Sequence, residues 1–312
     1  MRDKRLSFAD YLLLEEKKHR SSRGRFTLLM TYIQEVCKLI SAYIKTAALQ
    51  DIVGHTNEKN TSGDIVTKLD EFSNECFARV FKRSDLIYVY ASEEEDDLTF
   101  VNNSADYILI VDPLDGSKQS QVDLPSGTIF AVYRRNKENL LSKKHLVAAG
   151  YCLYSSSTVF VYATQESTAM FTLDYAIGSF MLCRKNWRMP DQGNIYSTNE
   201  AYTPRLYEKD KKYLEFLKSQ KYSLRYVGTL IADMHRIFLE GGVFLYPANK
   251  KAPHGKLRSF FEVLPFGFIA EKLGGGFLAG NVEAELKAES IHMRSDFVAG
   301  SSKEIAEYTK LL

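Results

Sequence analysis

Residues 107–117 read Tyr107-Ile108-Leu109-Ile110-Val111-Asp112-Pro113-Leu114-Asp115-Gly116-Ser117. The run 107–111 is apolar without alternation, which predicts a strand covered on both faces. It stops at one acid, and a second follows three residues later. Pro113 and Gly116 bend the turn, so both carboxylates can point at one spot. Acids set just past an apolar strand are the main chemical clue in the chain, because open α/β sheets present ligand groups at the carboxyl ends of their strands.

The pattern recurs upstream. Ile87-Tyr88-Val89-Tyr90-Ala91 reads as a strand and runs into Ser92 and the acids Glu93 to Asp97. A lone acidic run is usually a solvated loop. Two acid clusters, each at the end of a strand, instead make a hard-oxygen cage suited to Mg²⁺ or Mn²⁺. Further strands are predicted over 128–133, 147–153 and 158–163. Upstream, Leu28, Leu29, Ile33, Val36, Cys37, Ile40, Tyr43 and Ile44 recur at helical spacing and predict a helix over 27–48. The polar stretch His55 to Asp64 is predicted as a mobile loop, with helix resuming over 65–83.

Around Arg184 to Asn194 the chain turns polar, with Trp187 and Pro190. A domain boundary is expected there, giving units 1–184 and 185–312. Beyond it, helices are predicted over 208–219 and 229–239, and a strand over 243–246. A helix over 259–273 is expected to stop at Gly274-Gly275-Gly276. Strands and helices mix in both halves, which implies layered α/β packing.

Composition narrows the function. The chain has 312 residues, 45% hydrophobic and 26% charged, as in ordinary globular proteins. Lys+Arg 41 against Asp+Glu 39 leaves a net charge of +2, without the basic bias of a nucleic-acid binder. No apolar run approaches the roughly 20 residues that cross a bilayer. The charged N-terminal segment carries no secretory signal, and a cytoplasmic location is expected. Cys37, Cys76, Cys152 and Cys183 form no C-x-x-C pair and are expected to be reduced; no zinc site is expected from them and the dispersed histidines.

The stretch Asp112-Pro113-Leu114-Asp115-Gly116-Ser117 resembles the D-P-[IL]-D-G-[ST] signature of the metal-dependent, lithium-sensitive sugar phosphatases, and Ser92-Glu93-Glu94 resembles their S-E-E element. Arg225-Tyr226-Val227-Gly228, Ala232-Asp233-Met234-His235-Arg236, Gly241 to Lys251 and Gly255-Lys256-Leu257-Arg258 are similar to the class 1 fructose-1,6-bisphosphatase family. So are Gly127 to Phe130 and Ile195 to Glu200. The resemblance runs from about residue 8 to 308. It implies a layered αβαβα sandwich of the sugar phosphatase type. It also implies Mg²⁺-dependent hydrolysis (or Mn²⁺-dependent) of the 1-phosphate of fructose 1,6-bisphosphate, in gluconeogenesis.

By the same resemblance, Glu93, Asp112, Asp115 and Glu262, with the main-chain carbonyl of Leu114, hold two to three metal ions. Asp64 reaches in to a further metal, and Asp70 and Glu94 polarise the attacking water. Asp115, Gly116, Ser117 and Lys118 lie at the 1-phosphate end. Asn199, Tyr202, Tyr226 and Tyr246 hold the distal phosphate, and Lys256 touches that phosphate and the sugar. Arg225 reaches the neighbouring active site of a homotetramer. From the residues alone, Asp70 would read as an exposed helix acid and the tyrosines as core aromatics.

Two places depart from the family pattern. After Ser117 the family continues S-N-I-D, whereas this chain has Lys118-Gln119-Ser120-Gln121, followed by Pro125. Lys118 is expected either to bind phosphate or to lie against the acids in place of a cation, and the altered loop favours the second. The family's AMP site uses a T-G-E-L-T-like turn, a K-Y pair and an arginine. Here the turn is Arg23-Gly24-Arg25-Phe26-Thr27 and the pair is Asp106-Tyr107, with Arg134 retained. Arg25 is expected to pair with Asp106 across that pocket, weakening AMP binding. Two alternatives to the enzyme stand beside it: a weakened homologue that binds sugar phosphate or a protein partner, and a sedoheptulose-bisphosphatase or inositol monophosphatase activity.

Overall fold

The two acid clusters belong to one sheet. In a computed structural model that describes residues 6–18, 23–50, 55–59 and 65–312, Ile87–Ser92 forms strand β1, Thr99–Phe100 β2 and Tyr107–Asp115 β3. Ser126–Arg134 (β4), Leu146–Tyr154 (β5), Thr158–Thr164 (β6), Thr168–Asp174 (β7) and Ser179–Lys185 (β8) complete the sheet. The spatial order is β8-β7-β6-β5-β4-β3-β1-β2. Every neighbouring pair is antiparallel except β1 and β3, which run parallel with Ser92 opposite Val111. The parallel-sheet rule therefore applies at a single pair, and that pair puts Glu93 beside Asp112.

Both faces of the sheet are covered, which is why β3 needs no polar alternation. Helices Phe8–Glu16 (α1), Arg25–Thr46 (α2) and Lys68–Phe81 (α3) cover one face. Leu29, Ile33, Phe77 and Phe81 pack there with Leu109, Val111, Phe130 and Phe160. A short helix, Ser117–Ser120 (α4), follows β3, and Glu208–Ser219 (α5) belongs to the second half. Leu230–Glu240 (α6) and Leu264–Lys272 (α7) cover the opposite face of the sheet. Met234, Phe238, Phe266 and Ile269 join Ile108, Ile110, Ile129 and Tyr151 there. Each such side chain, taken fully from water, contributes roughly 1.5–3 kcal/mol.

A second sheet closes α6 and α7 from behind. Its strands are Ile195–Ser197 (β9), Ser223–Leu224 (β10), Val243–Tyr246 (β11), Gly276–Leu278 (β12) and Phe297–Gly300 (β13), in the order β10-β9-β11-β13-β12. After the short helix Ala288–Ile291 (α8), Ser302–Thr309 (α9) packs with α5 on the outer face, through Tyr213, Leu217 and Tyr308 against Leu245 and Val298. The layers run αβαβα, as the resemblance implies.

Several elements differ from their sequence reading. Helix α1 was not predicted: its buried set, Phe8, Tyr11 and Leu12, is only one turn long amid charges. His55–Lys59 is not loop but pairs antiparallel with Ile65–Thr67. Helix α3 begins at Lys68 rather than 65, because Thr67 caps it and Asp70 caps back. Strands β7 and β8 extend the sheet past the last one predicted. The helix expected over 259–273 opens as a π-helical turn, Ser259–Val263. Pro265 explains the wide turn: it has no N–H to give to the carbonyl four residues back. All four cysteines are free, and Cys183 alone is exposed. Among the described residues no helix is long and apolar enough to cross a membrane.

Candidate active site

The end of β3 does not continue as a regular strand. Asp112 pairs with Ile129 and Asp115 with Gly127, so three steps on β3 oppose two on β4. In a regular strand residues three apart face opposite sides; the bulge brings Asp112 and Asp115 to the same side. Thr128 fixes the bulge by donating to the Pro113 carbonyl at 2.8 Å. Gly127 is required by close approach: a Cβ there would lie 2.2 Å from the Cys152 carbonyl oxygen and 2.3 Å from Ile231 Cδ1. Gly116 is required by its backbone, at φ +79°. Leu114 is buried, and its N–H donates to Asp112 Oδ1 at 3.0 Å.

Three other elements converge on this bulge. The Glu93 N–H donates to the Val111 carbonyl at 3.0 Å, carrying β1 one residue past its end. Glu262 sits on the π-helical turn, and its Oε2 accepts the Arg258 N–H at 2.6 Å. Helix α6 aims its N-terminus inward, and the Ile231 N–H donates to Asp115 Oδ2 at 2.9 Å. The helix dipole favours that carboxylate. The sequence-predicted Glu93, Asp112, Asp115 and Glu262 thus lie within range of one another's charge.

Their titration shows how crowded they are. Burial first, then the charges of Glu93, Asp115 and Glu262, raise the Asp112 carboxyl well above its usual range. Burial first, against the Ile231 N–H and with Glu93 and Asp233 charges adding, pushes Asp115 up to about 7. Glu262 is raised by burial and then by Glu93 and Asp115. A positive charge set among them is the buried Arg258 guanidinium, whose Nε lies 3.0 Å from Glu93 Oε1. Among the described residues no three His, Cys, Asp or Glu side chains stand in a closed metal-ligand arrangement. The donor set still suits a hard cation: it is all oxygen, rich in negative charge, and short of positive charge.

Asp70 is not the exposed helix acid that its residues alone suggest. It is buried, accepts the Thr67 N–H at 2.8 Å, and hydrogen-bonds to Ser117 at the start of α4. Burial raises its carboxyl despite those bonds. Glu94, next in sequence to Glu93, is half-buried and donates its N–H to Ser92 Oγ at 3.3 Å. The acidic loop is pinned by groups that the sequence reading missed. Asn74 accepts from Ser92 Oγ at 2.7 Å, Lys82 reaches Glu95 at 2.7 Å, and His292 Nε2 lies 2.9 Å from the Glu95 carbonyl. These partners are distant in sequence and carry no motif of their own. Asp64 lies outside the described residues.

The distal group forms a second cluster. Asn199 caps the 3₁₀ turn Glu200–Arg205 and hydrogen-bonds to Tyr226, while Tyr202 hydrogen-bonds to Tyr246. Partial burial raises Tyr226, and burial raises Tyr246. The Asp115 charge adds to the first and the Glu262 charge to the second, so the clusters adjoin. Arg205, unmarked by the sequence reading, stacks 5.3 Å from the centre of the Tyr202 ring. Asp233 holds the loop before α6 by accepting the Val227 N–H at 2.9 Å and the Gly228 N–H at 3.0 Å. Arg225 is exposed, with Nη1 on the Leu224 carbonyl at 2.9 Å; Lys256 is exposed as well.

A cation that does lie against the acids is Arg258, which the sequence reading did not mark; Lys118 is exposed on α4. At the second departure one pairing differs from its expectation. Arg25 donates to the Asp85 carbonyl and lies 3.8 Å from the Asp85 carboxylate, so it is not the partner of Asp106. Arg23, Phe26, Asp106, Tyr107, Arg134 and Lys144 help to line a cavity of about 930 Å³. Arg134 is held over the Tyr107 ring at 5.3 Å. An AMP phosphate there would meet the Asp106 carboxylate where the family pattern has a lysine. AMP is therefore expected to inhibit weakly and to raise the melting temperature little; inhibition at low micromolar AMP would contradict this.

Comparison with known proteins gives one answer. The family of fructose-1,6-bisphosphatase N-terminal domains matches residues 7–185, and the family of its C-terminal domains matches residues 189–312. The chain is 38% identical to the cytosolic fructose-1,6-bisphosphatase of Musa acuminata over 98% of this chain and 94% of that one. It is 36% identical to the class 1 fructose-1,6-bisphosphatase of Persephonella marina over 100% of both. Its fold is similar to the crystal structure of Leishmania major fructose-1,6-bisphosphatase in holo form, with TM-score 0.91, 31% identity and 98% of both chains covered.

Proposed function

The chain belongs to the fructose-1,6-bisphosphatase family and is a phosphatase that hydrolyses fructose 1,6-bisphosphate, and we propose that it does so with divalent cations held at the β3 bulge. Glu93, Asp112, Asp115 and Glu262, with the Leu114 carbonyl, would hold two to three Mg²⁺ or Mn²⁺, and Asp64 a further contact. The observation that carries this reading is the convergence of those four carboxylates on one strand end, within range of one another's charge. Bound there, divalent cations would neutralise the phosphate charge, lower the pKa of a water and stabilise the leaving oxygen.

The chain's own residues supply the rest. Asp70 and Glu94 orient the attacking water and take its proton; a buried, upward-shifted carboxyl is better matched to that task than an exposed one. Asp115, Gly116, Ser117 and Lys118 hold the 1-phosphate end. Asn199, Tyr202, Tyr226 and Tyr246 donate to the distal phosphate, and Lys256 contacts phosphate and sugar. Upward-shifted phenols stay protonated and so remain donors. Transfer is in line, without a covalent enzyme intermediate, and yields fructose 6-phosphate for gluconeogenesis in the cytoplasm.

Phosphate release from fructose 1,6-bisphosphate tests the reading. It should stop with EDTA and return with Mg²⁺ or Mn²⁺. No release with either metal would favour the weakened homologue, and faster release from sedoheptulose 1,7-bisphosphate would favour the related bisphosphatase.

We also propose a homotetramer in which Arg225 reaches the neighbouring site. The exposed Arg225 is flanked by exposed Leu224 and Tyr226, an apolar surround suited to being covered. A guanidinium suits the task because it stays charged and binds phosphate bidentately. Mixing Arg225→Ala subunits with Asp115→Asn subunits should recover activity through hybrid sites. A monomer by light scattering would rule the arrangement out.

A further inference from the structure

Gln119 lies in the stretch that departs from the family pattern, yet it makes a cross-site bond. Its Nε2 donates to the Gly228 carbonyl at 3.0 Å. Gly228 follows Tyr226 by two residues and is itself held by Asp233 through its N–H at 3.0 Å. A Cβ on Gly228, which has φ +94°, would lie 3.7 Å from both Gln119 Nε2 and the Tyr226 ring. The three groups therefore pack together. On its own side Gln119 organises the loop: its carbonyl accepts the N–H groups of Val122 and Leu124, each at 3.0 Å. Three residues past Gly228, the Ile231 N–H reaches Asp115. Segment 226–231 is thus tied at its start to the distal cluster through Tyr226 and Asn199, in its middle to α4, and at its end to the β3 bulge.

We propose that Gln119 is a positioning residue that couples occupancy of the distal phosphate cluster to the placement of Ser117 and Lys118 at the reacting phosphate. This rests on the substrate geometry given under Proposed function. Binding at the distal end then orders the 1-phosphate loop through the Gly228 carbonyl, which the Gln119 side chain meets. The family pattern puts asparagine at this position; the extra methylene of glutamine gives a longer reach. Binding energy from the non-reacting end of a substrate appears in kcat when it orders the reacting end.

The test compares fructose 1,6-bisphosphate with fructose 1-phosphate, which lacks the distal group, in the parent and in Gln119→Glu and Gln119→Leu. Both variants keep the length or bulk of the side chain and remove the donor. For the bisphosphate, kcat is expected to fall about tenfold, the scale of one hydrogen bond, with KM less changed. For fructose 1-phosphate the fall is expected to be smaller, so the advantage of the bisphosphate shrinks. Should Gln119→Glu fail to fold, Gln119→Leu carries the comparison. Equal loss on both substrates, or loss on neither, would overturn the coupling. A parent that shows no preference for the bisphosphate would overturn the substrate reading itself, which is a distinguishable result.

Discussion

An Asp115→Asn variant is expected to lose about two to three orders of magnitude in kcat on fructose 1,6-bisphosphate, the scale of removing one pre-placed charge-stabilising group. Its metal-free form is expected to melt at the parent's temperature or above it. The two effects have opposite sign for one reason. Without cations the Asp115 carboxylate is a liability, pushed up to about 7 by burial and by neighbouring acids. Asparagine keeps the shape and keeps an oxygen for the Ile231 N–H, so the start of α6 remains capped. What it removes is the negative charge that a divalent cation would meet. The gain in melting temperature on adding Mg²⁺ should therefore shrink in the variant along with activity. Activity within threefold of the parent would sink the assignment of Asp115. A metal-free variant that melts far below the parent would show instead that the aspartate is structural.

How much of this site was legible in the sequence depends on the range of the contact. The bend between the two aspartates was visible because it is local: Pro113 and Gly116 lie beside them, and the apolar run before them names the strand; that the strand runs on to Asp115 through a bulge was not. The pairing of β1 with β3 was visible less directly, as two strands that end in acids. Helices α5 and α6 and strand β11 fell within a residue of their predicted bounds, because long amphipathic or bounded apolar segments are set by local periodicity. Helix α1 was not legible, since three buried residues cannot stand out in a charged segment. Arg258, Asn74, Lys82 and His292 were missed as partners for a different reason. Each acts on an acid far away in the chain, and nothing near it in sequence says so. The pairing of Arg25 went astray in the same way: the sequence reading gave it to Asp106, and its contacts in the fold are with Asp85, which no local pattern marks.

The metal-free protein should lose stability as pH rises from about 5 to 8, and Mg²⁺ should restore a growing share of it. The sign follows from the direction of the shifts. Asp112, Asp115 and Glu262 all hold their protons more tightly folded than unfolded, chiefly through burial and then through one another. Below the ordinary carboxylate range, under about pH 3, all three are protonated in both states, and the contribution is fully present. As pH rises the unfolded chain ionises first. Each retained proton then costs stability at up to about 1.4 kcal/mol per pH unit, until the folded value is passed, about 7 for Asp115. His235 works at the acid end in the opposite direction. Burial holds it neutral down to about 4, so its contribution is present above about 6.5 and is lost as pH falls through that lower value. The clean readout is therefore the difference between melting temperatures with and without saturating Mg²⁺, since His235 and the surface groups cancel in it. That difference is expected to widen from pH 5.5 to 7.5, because cation binding displaces the protons that the folded acids retain. It should widen less in Asp115→Asn. A difference that stays flat across this range, in parent and variant alike, would mean that the cations do not bind at these carboxylates.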